Sequence, residues 1–299
     1  MRLGISMKSA HGLDDPREGA RVMVQRAIAA REAGLDSLFL GDHHTVPYGY
    51  YQNVPMLGRL LAEWPRTAGA LFLIPVWHPV LVAEQVATLA AIASGRFVLQ
   101  CAIGARDQFE GMGIDPAERV ARFENGLDVI RRLLAGEEVN AEAPYPIRSA
   151  RISPIPREPI EVWIGGHARA AVDRAARLGD GWVVAPDLPI ERALELLRYY
   201  QERCAVHGRT PTAIAIRRDV HVGIDRAEAE AVVGPIIAKG YRGFDPAVLI
   251  YGDSGEVTER FRQLKAAGFT DLLVRHIGGD ESEVLASHHR LGEIRETMA

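Results

Sequence analysis

Short apolar runs alternate with longer segments of helical spacing along the whole chain. Eight runs have the length of β-strands, and most are continuously apolar, as parallel strands buried on both faces are. These eight runs are residues 3–7, 37–41, 69–74, 97–103, 161–164, 182–185, 214–222 and 271–276. The segments between them repeat apolar residues every three or four positions, as at Phe123, Leu127, Ile130 and Leu134, which predicts amphipathic helices.

Eight strand-then-helix units in 299 residues fit a (β/α)8 TIM barrel with short insertions, whose usual size is roughly 250 residues. A doubly wound open sheet is the alternative. That fold usually has a glycine-rich phosphate loop after an early strand, and residues 4–7 are not such a loop. The proline-rich stretch 136–159 predicts an irregular crossover rather than a domain boundary. We therefore expect one barrel domain over residues 1–299.

Composition places the chain among ordinary soluble enzymes. Hydrophobic residues are 47%, charged residues 25% and the net charge is −4, so we expect neither nucleic acid nor a membrane as a partner. Cys101 and Cys204 belong to no cysteine pair or cluster, which predicts two reduced, buried thiols and no zinc site. Without an apolar leader or membrane span, a cytoplasmic location is the expectation.

Candidate chemistry lies where the strands end, because barrel enzymes carry their sites on the loops that follow the strands. The second strand runs into Asp42, His43 and His44. An imidazole can act as a general base near neutral pH, so His43 is the candidate catalytic residue and Asp42 the group that fixes its tautomer. The alternative is a pair of hydrogen-bonded rim histidines. Neighbours on a strand point to opposite faces, so the three residues are not expected to bind one metal ion.

Three further windows can bind a ligand. Tyr48, Tyr50 and Tyr51 either floor a pocket for a planar ring or pack their own loop onto the barrel. After the fourth strand, Gly104 allows close approach and Arg106 offers a fork for phosphate or carboxylate, unless it is an ordinary surface arginine.

After the fifth strand, Gly165, Gly166 and His167 lead into an alanine-rich helix. The first backbone N–H groups of a helix form a natural phosphate site. This position favours phosphate binding over an ordinary glycine turn.

Several segments resemble a known family when taken together. They are residues 34–37 (GLDS), 42–44 (DHH), 78–80 (HPV), 94–97 (SGRF), 159–166 (PIEVWIGG) and 175–182 (AARLGDGW). In combination they resemble the bacterial luciferase-like monooxygenase superfamily of flavin- or deazaflavin-dependent oxidoreductases. The resemblance implies a barrel that binds its coenzyme at the C-terminal ends of the strands, with the coenzyme phosphate on Gly165, Gly166 and the N–H of His167.

The resemblance also assigns roles to single residues. His43 falls where the luciferases and the deazaflavin sugar-phosphate dehydrogenases keep a functional histidine, and Leu73 where the family often has a bulge with a non-prolyl cis peptide. The luciferase arginine that meets the phosphate aligns with Ile103, so Arg106 is its candidate replacement. The catalytic tryptophan and glutamate of the deazaflavin dehydrogenases would align near Pro47 and Ala105, which counts against that branch's acid–base chemistry.

The leading hypothesis is a monooxygenase that uses O2 and reduced FMN from a separate flavin reductase on a small organic substrate. Its substrate pocket would contain His44, Tyr48, Tyr51 and Trp77, and the family suggests a homodimer. The alternative is a deazaflavin-dependent oxidoreductase that transfers a hydride directly. A hypothesis from another class is a non-catalytic flavin-binding subunit.

Overall fold

The computed structural model describes residues 1–12, 15–278 and 280–298. Its strands are β1 (Arg2–Met7), β2 (Ser37–Leu40), β3 (Thr67–Leu73), β4 (Phe97–Ala102), β5 (Val139–Ala141), β6 (Ile147–Ala150), β7 (Glu161–Gly165), β8 (Gly181–Val184), β9 (Ala213–Val222), β10 (Ile250–Gly252) and β11 (Asp271–His276). Its α-helices are α1 (Pro16–Glu32), α2 (Asn53–Leu61), α3 (Pro79–Ile92), α4 (Arg106–Gly111), α5 (Arg119–Leu134), α6 (Arg169–Leu178), α7 (Ile190–Val206), α8 (Arg226–Ala238), α9 (Ser254–Ala267) and α10 (Glu281–Met298).

The strands form a closed parallel barrel. Their order is β10-β9-β11-β1-β2-β3-β4-β7-β8, and β8 pairs with β9 to close the ring. The ring consists of β1, β2, β3, β4, β7, β8, β9 and β11, which are the eight strands predicted from the sequence. The (β/α)8 fold is therefore confirmed.

The irregular crossover between β4 and β7 contains a small element that the sequence did not predict. β5 and β6 form an antiparallel hairpin inside residues 136–159. The other unpredicted strand, β10, is three residues long and adds to β9. Both are too short for periodicity to reveal.

The chain divides into two compact units, and the prediction of a single domain stays a prediction. The first unit is Met1–Lys8, Arg21–Phe39 and Trp163–Ala299, and the second is Ser9–Ala20 and Leu40–Val162. Each has its own apolar core. Trp163, Trp182 and Tyr200 are fully buried in the first, and Trp64, Phe72 and Phe123 in the second.

Both cysteines behave as expected. Cys101 and Cys204 are buried, and neither is in a disulfide.

Within residues 1–12, 15–278 and 280–298, no helix combines the length and apolar character that a membrane crossing requires.

Two histidines lie in the core of the first unit. The rings of His276 and His288 stack at 3.9 Å, and Nδ1 of His288 donates a hydrogen bond of 2.8 Å to the carbonyl of Val284. Burial, with a smaller contribution from the charge of Arg26, lowers the pKa of His288 to about 4. Burial, with the positive charges of His288 and Arg26, also places the pKa of His276 well below its ordinary value.

These histidines predict loss of stability in acid. The unfolded chain protonates His288 near pH 6.5, whereas the folded chain does so only near pH 4. The free energy of unfolding should therefore fall as the pH drops from 6.5 towards 4, by about 3 kcal/mol for this residue. Urea denaturation should show that the free energy of unfolding falls less between pH 7.5 and pH 5 in His288→Gln than in the wild type. Equal losses in the two proteins would contradict this prediction.

Candidate active site

The carboxylate of Asp42 is buried at the end of β2 and organises the residues around it. Its Oδ2 accepts hydrogen bonds from the backbone N–H of Leu73, at 2.8 Å, and from Nε1 of Trp77, at 2.9 Å. Nε2 of His44 lies 3.0 Å from Oδ1, off the direction of a hydrogen bond. A buried carboxylate is costly unless its oxygens are satisfied. Asp42 therefore fixes the end of β3 and the indole of Trp77.

Asp42 brings together two residues that the sequence analysis placed in the substrate pocket. The rings of His44 and Trp77 meet edge to face at 5.3 Å. The backbone N–H of His44 donates to Oε1 of Gln108, at 3.1 Å. Sequence reasoning missed Gln108, although it lies just beyond the Gly104–Arg106 window, where a buried amide in a short helix indicates a specific partner.

The structure corrects the role expected of Asp42. Both of its oxygens face other groups, so the carboxylate holds His44, Leu73 and Trp77 rather than orienting His43. Side chains two positions apart in an extended chain point the same way, which puts Asp42 and His44 together and sends His43 to the other side. The half-buried ring of His43 lies 5.2 Å from that of Tyr50, tilted by 33°.

The tyrosine loop is packed onto its own unit. The hydroxyl of Tyr51 donates to the carbonyl of Pro16, its ring lies 5.6 Å from that of His11, and Tyr50 forms an antiparallel bridge with Ala10. These contacts favour the packing role for Tyr51 over the pocket role. Tyr48 is 52% exposed.

Leu73 and Gly104 lie against each other. Leu73 ends β3, is buried, and is followed by a 3-10 turn at Ile74–Val76. Gly104 has a φ of 93°, and a Cβ there would lie 3.2 Å from Cδ1 of Leu73, so only glycine fits without strain. In the described chain the cis peptide bonds are Ala143–Pro144 and Ser153–Pro154. The non-prolyl cis peptide that the resemblance suggested at Leu73 is absent.

Gly104 and Arg106 line a cleft of about 280 Å³ together with Phe109, Pro116 and Arg119. The side chain of Arg106 is 80% exposed, and its Nε donates to Glu110, at 2.8 Å. The cleft thus has two arginines on its walls, one already paired at the surface. The assignment of Arg106 to a phosphate stays a prediction.

The turn after β7, in the first unit, has the form that a backbone phosphate site needs. α6 begins at Arg169 without a capping side chain at Ala168, so its first N–H groups are left for water or a ligand. The carbonyl of Gly166 accepts a hydrogen bond of 2.9 Å from Nε1 of Trp182. A Cβ on Gly166 would lie 2.6 Å from that of Ala171, so glycine lets the helix pack close to the turn.

Comparison with known proteins identifies the family. Residues 1–284 match the family described as luciferase-like monooxygenase. The chain belongs to this family.

The similar proteins include flavin and deazaflavin enzymes. The F420-dependent glucose-6-phosphate dehydrogenase of Nakamurella multipartita is 31% identical over 311 aligned positions, which cover 90% of each chain. The crystal structure of the monooxygenase RslO1 of Streptomyces bottropensis superposes with a TM-score of 0.87 at 22% identity and covers 100% of both chains. The oxygenating constituent of 3,6-diketocamphane monooxygenase of Pseudomonas putida, in complex with FMN, gives 0.79 at 19% identity and covers 98% of this chain and 97% of its own.

Family and relatives agree on the kind of activity. The luciferase-like chain is an enzyme, an oxidoreductase or monooxygenase, and a flavin-type coenzyme is common to its relatives. The two solved structures share its barrel fold.

The Asp42 contacts predict a coupled loss of stability. Asp42→Ala should lower the free energy of unfolding by about 3 kcal/mol, because two buried donors lose their acceptor at ~1–3 kcal/mol each. Trp77→Phe removes one of these donors and should cost less. In urea denaturation the double variant should lose about 1 kcal/mol less than the sum of the single losses. Additive losses would show that Asp42 and Trp77 do not interact.

Proposed function

We propose that this luciferase-like enzyme uses the deazaflavin coenzyme F420 and transfers a hydride between it and a small alcohol or carbonyl substrate. The observation that carries the proposal is the F420-dependent relative, which is 31% identical and covers 90% of both chains. The monooxygenases are 22% and 19% identical, so their likeness supports the fold rather than a coenzyme.

The residues at the strand ends fit such a coenzyme. The uncapped start of α6 and the small residues Gly165 and Gly166 offer backbone N–H groups to its phosphate, with the N–H of His167 beside them. Leu73 and Gly104 form a tightly packed apolar surface, of the kind that supports a planar ring. When bound, the coenzyme accepts or donates the hydride, and the protein positions it and excludes water.

His43 is the residue to which we assign the proton. Oxidation of an alcohol releases a hydride and a hydroxyl proton, so a basic side chain must take up the proton. Asp42 is buried and holds Leu73 and Trp77, and His44 faces Asp42. The side chain of His43 points away from Asp42, and its half-buried ring lies against Tyr50. Pro47 and Ala105 stand near the tryptophan and glutamate positions of the sugar-phosphate dehydrogenases, so this chain handles the proton without those groups.

The second candidate is the FMN-dependent monooxygenase, which would use O2 and a separate reductase. The description of the family that residues 1–284 match, luciferase-like monooxygenase, favours it. Its pocket and its coenzyme phosphate site would be the same. A homodimer remains a prediction for either candidate.

A parallel titration separates the two candidates. The purified protein is titrated with F420 and with FMN, oxidised and reduced, and turnover with a panel of secondary alcohols is measured with and without O2. We expect saturable binding of F420 and turnover that continues without O2. Binding of FMN alone, with turnover that stops without O2, would establish the monooxygenase instead.

Replacing the proposed proton acceptor should separate catalysis from binding. His43→Ala should lower kcat by about 100-fold or more, as expected for loss of a general base, and leave the Kd for F420 within about twofold. His78→Ala, an exposed histidine of the same unit, is the matched control and should keep full activity. An unchanged kcat in His43→Ala would remove this histidine from the mechanism.

The phosphate assignment predicts a backbone effect. Gly166→Ala should raise the Kd for the coenzyme by about tenfold, because its Cβ displaces α6 and with it the N–H groups that hold the phosphate. Gly58→Ala is the control, since a Cβ on this helical glycine meets nothing within 4 Å. Equal coenzyme affinity in the two variants, measured by fluorescence titration, would rule out a phosphate at this turn.

A further inference from the structure

A second buried carboxylate lies in the first unit, on β9. Asp219 accepts hydrogen bonds from Nη2 of Arg217 at 3.1 Å, from the hydroxyl of Tyr241 at 2.8 Å and from Nη1 of Arg242 at 2.8 Å. Its side chain is fully buried, whereas those of Arg217 and Arg242 are 18% and 34% exposed. The carboxylate thus holds two arginines whose side chains are partly exposed.

The strand register adds more positive charge at this point. In the register of the parallel strands, Arg275 on β11 lies opposite Asp219 on β9. Nη2 of Arg275 donates a hydrogen bond to the carbonyl of Met7, which precedes Lys8. Arg218 points to the opposite face and donates to the carbonyls of Ala185, Pro186 and Leu188. Arg218 is therefore structural. We call Lys8, Arg217, Arg242 and Arg275 the basic cluster.

The turn that carries Arg242 has an unusual backbone. Arg242 has a φ of 50°, in the left-handed region, between Gly240 and Gly243 with φ values of 78° and 69°. Its guanidinium lies 4.4 Å from the ring centre of Phe244. A non-glycine residue in this conformation costs ~1 kcal/mol or more. The hydrogen bonds of Tyr241 and Arg242 to Asp219 hold the turn in place.

Lys8 lies close to the other cations of the cluster. Burial lowers the pKa of Lys8, and the charges of Arg26, Arg275 and Arg242 lower it further, against the opposing charge of Glu281. Glu281 is itself bonded to Arg26, at 2.9 Å.

One hydrogen-bond donor of the cluster indicates a ligand site. Nε of Arg217 is buried and has no hydrogen-bond partner among the described residues. A buried guanidinium N–H group without a hydrogen-bond partner is typical of a site for an anion.

We propose that the basic cluster binds an anionic group of the substrate, a carboxylate or a phosphate, through Arg217 and Arg242 with Lys8 and Arg275 beside them. The assignment to the substrate rests on the proposed oxidoreductase function, in which the coenzyme phosphate lies on the backbone after β7. Asp219 fixes the two guanidinium groups in advance, so little side-chain freedom is lost when the anion binds. Lys8 directly follows β1, and Arg275 is the last residue but one of β11. These two residues lie at C-terminal strand ends, where barrel enzymes bind substrates.

Calorimetric titration with inorganic phosphate and with succinate tests the site without any coenzyme. Arg242→Gln should weaken binding of at least one anion by about tenfold, the usual effect of losing a hydrogen bond between charged groups. Arg226→Gln removes a comparable surface arginine of the same unit and should change the Kd by less than about twofold. Arg217→Lys keeps the charge beside Asp219 but removes the fork, and should weaken binding in a folded protein.

The coenzyme titrations of the same variants complete the test. We expect Arg242→Gln to bind F420 or FMN as the wild type does, and succinate, which the backbone phosphate site after β7 is not built to hold, not to compete with the coenzyme. Equal anion affinity in wild type and Arg242→Gln, or equal losses in Arg242→Gln and Arg226→Gln, would overturn the site. A coenzyme Kd raised about tenfold in Arg242→Gln would assign the cluster to the coenzyme and overturn the substrate assignment. If neither coenzyme binds, the proposed function fails while the anion titration still decides whether the site exists.

Discussion

Burial of the Asp42 carboxylate is tolerated because Leu73 and Trp77 donate hydrogen bonds to it and His44 lies beside it. The same contacts fix the end of β3, and Leu73 in turn packs on Gly104 after β4. One interaction therefore sets the positions of three strand ends in the second unit. If the carboxylate were absent, the surface that Leu73 and Gly104 present would lose its support.

The first unit uses a buried carboxylate in a related way. Asp219 holds Arg217, Tyr241 and Arg242, although here the partners are mostly cations rather than neutral donors. In both units, apolar strands form the core and the polar groups collect after the strands, as the barrel architecture requires. In each unit a buried carboxylate thus fixes the residues around it. Such support lets a loop residue act with the precision of a core residue.

The ring strands could be predicted from the sequence, because strands buried on both faces are continuously apolar. The windows after them could also be found, since fold class alone places function there. The partner of Asp42 was predicted wrongly because adjacency in sequence was taken as adjacency in space, whereas alternation along the chain puts His44 on its side. Other contacts were out of reach. Tyr51 with Pro16 and Asp219 with Tyr241 join segments that are distant in sequence, and their paths depend on register and turn geometry, which a single sequence does not encode locally.

A crystal structure of the enzyme with oxidised F420 tests the central claim most directly. Our account predicts that the coenzyme phosphate accepts hydrogen bonds from backbone N–H groups between Gly166 and the start of α6. A coenzyme bound elsewhere, or a phosphate held only by side chains away from this turn, would contradict it.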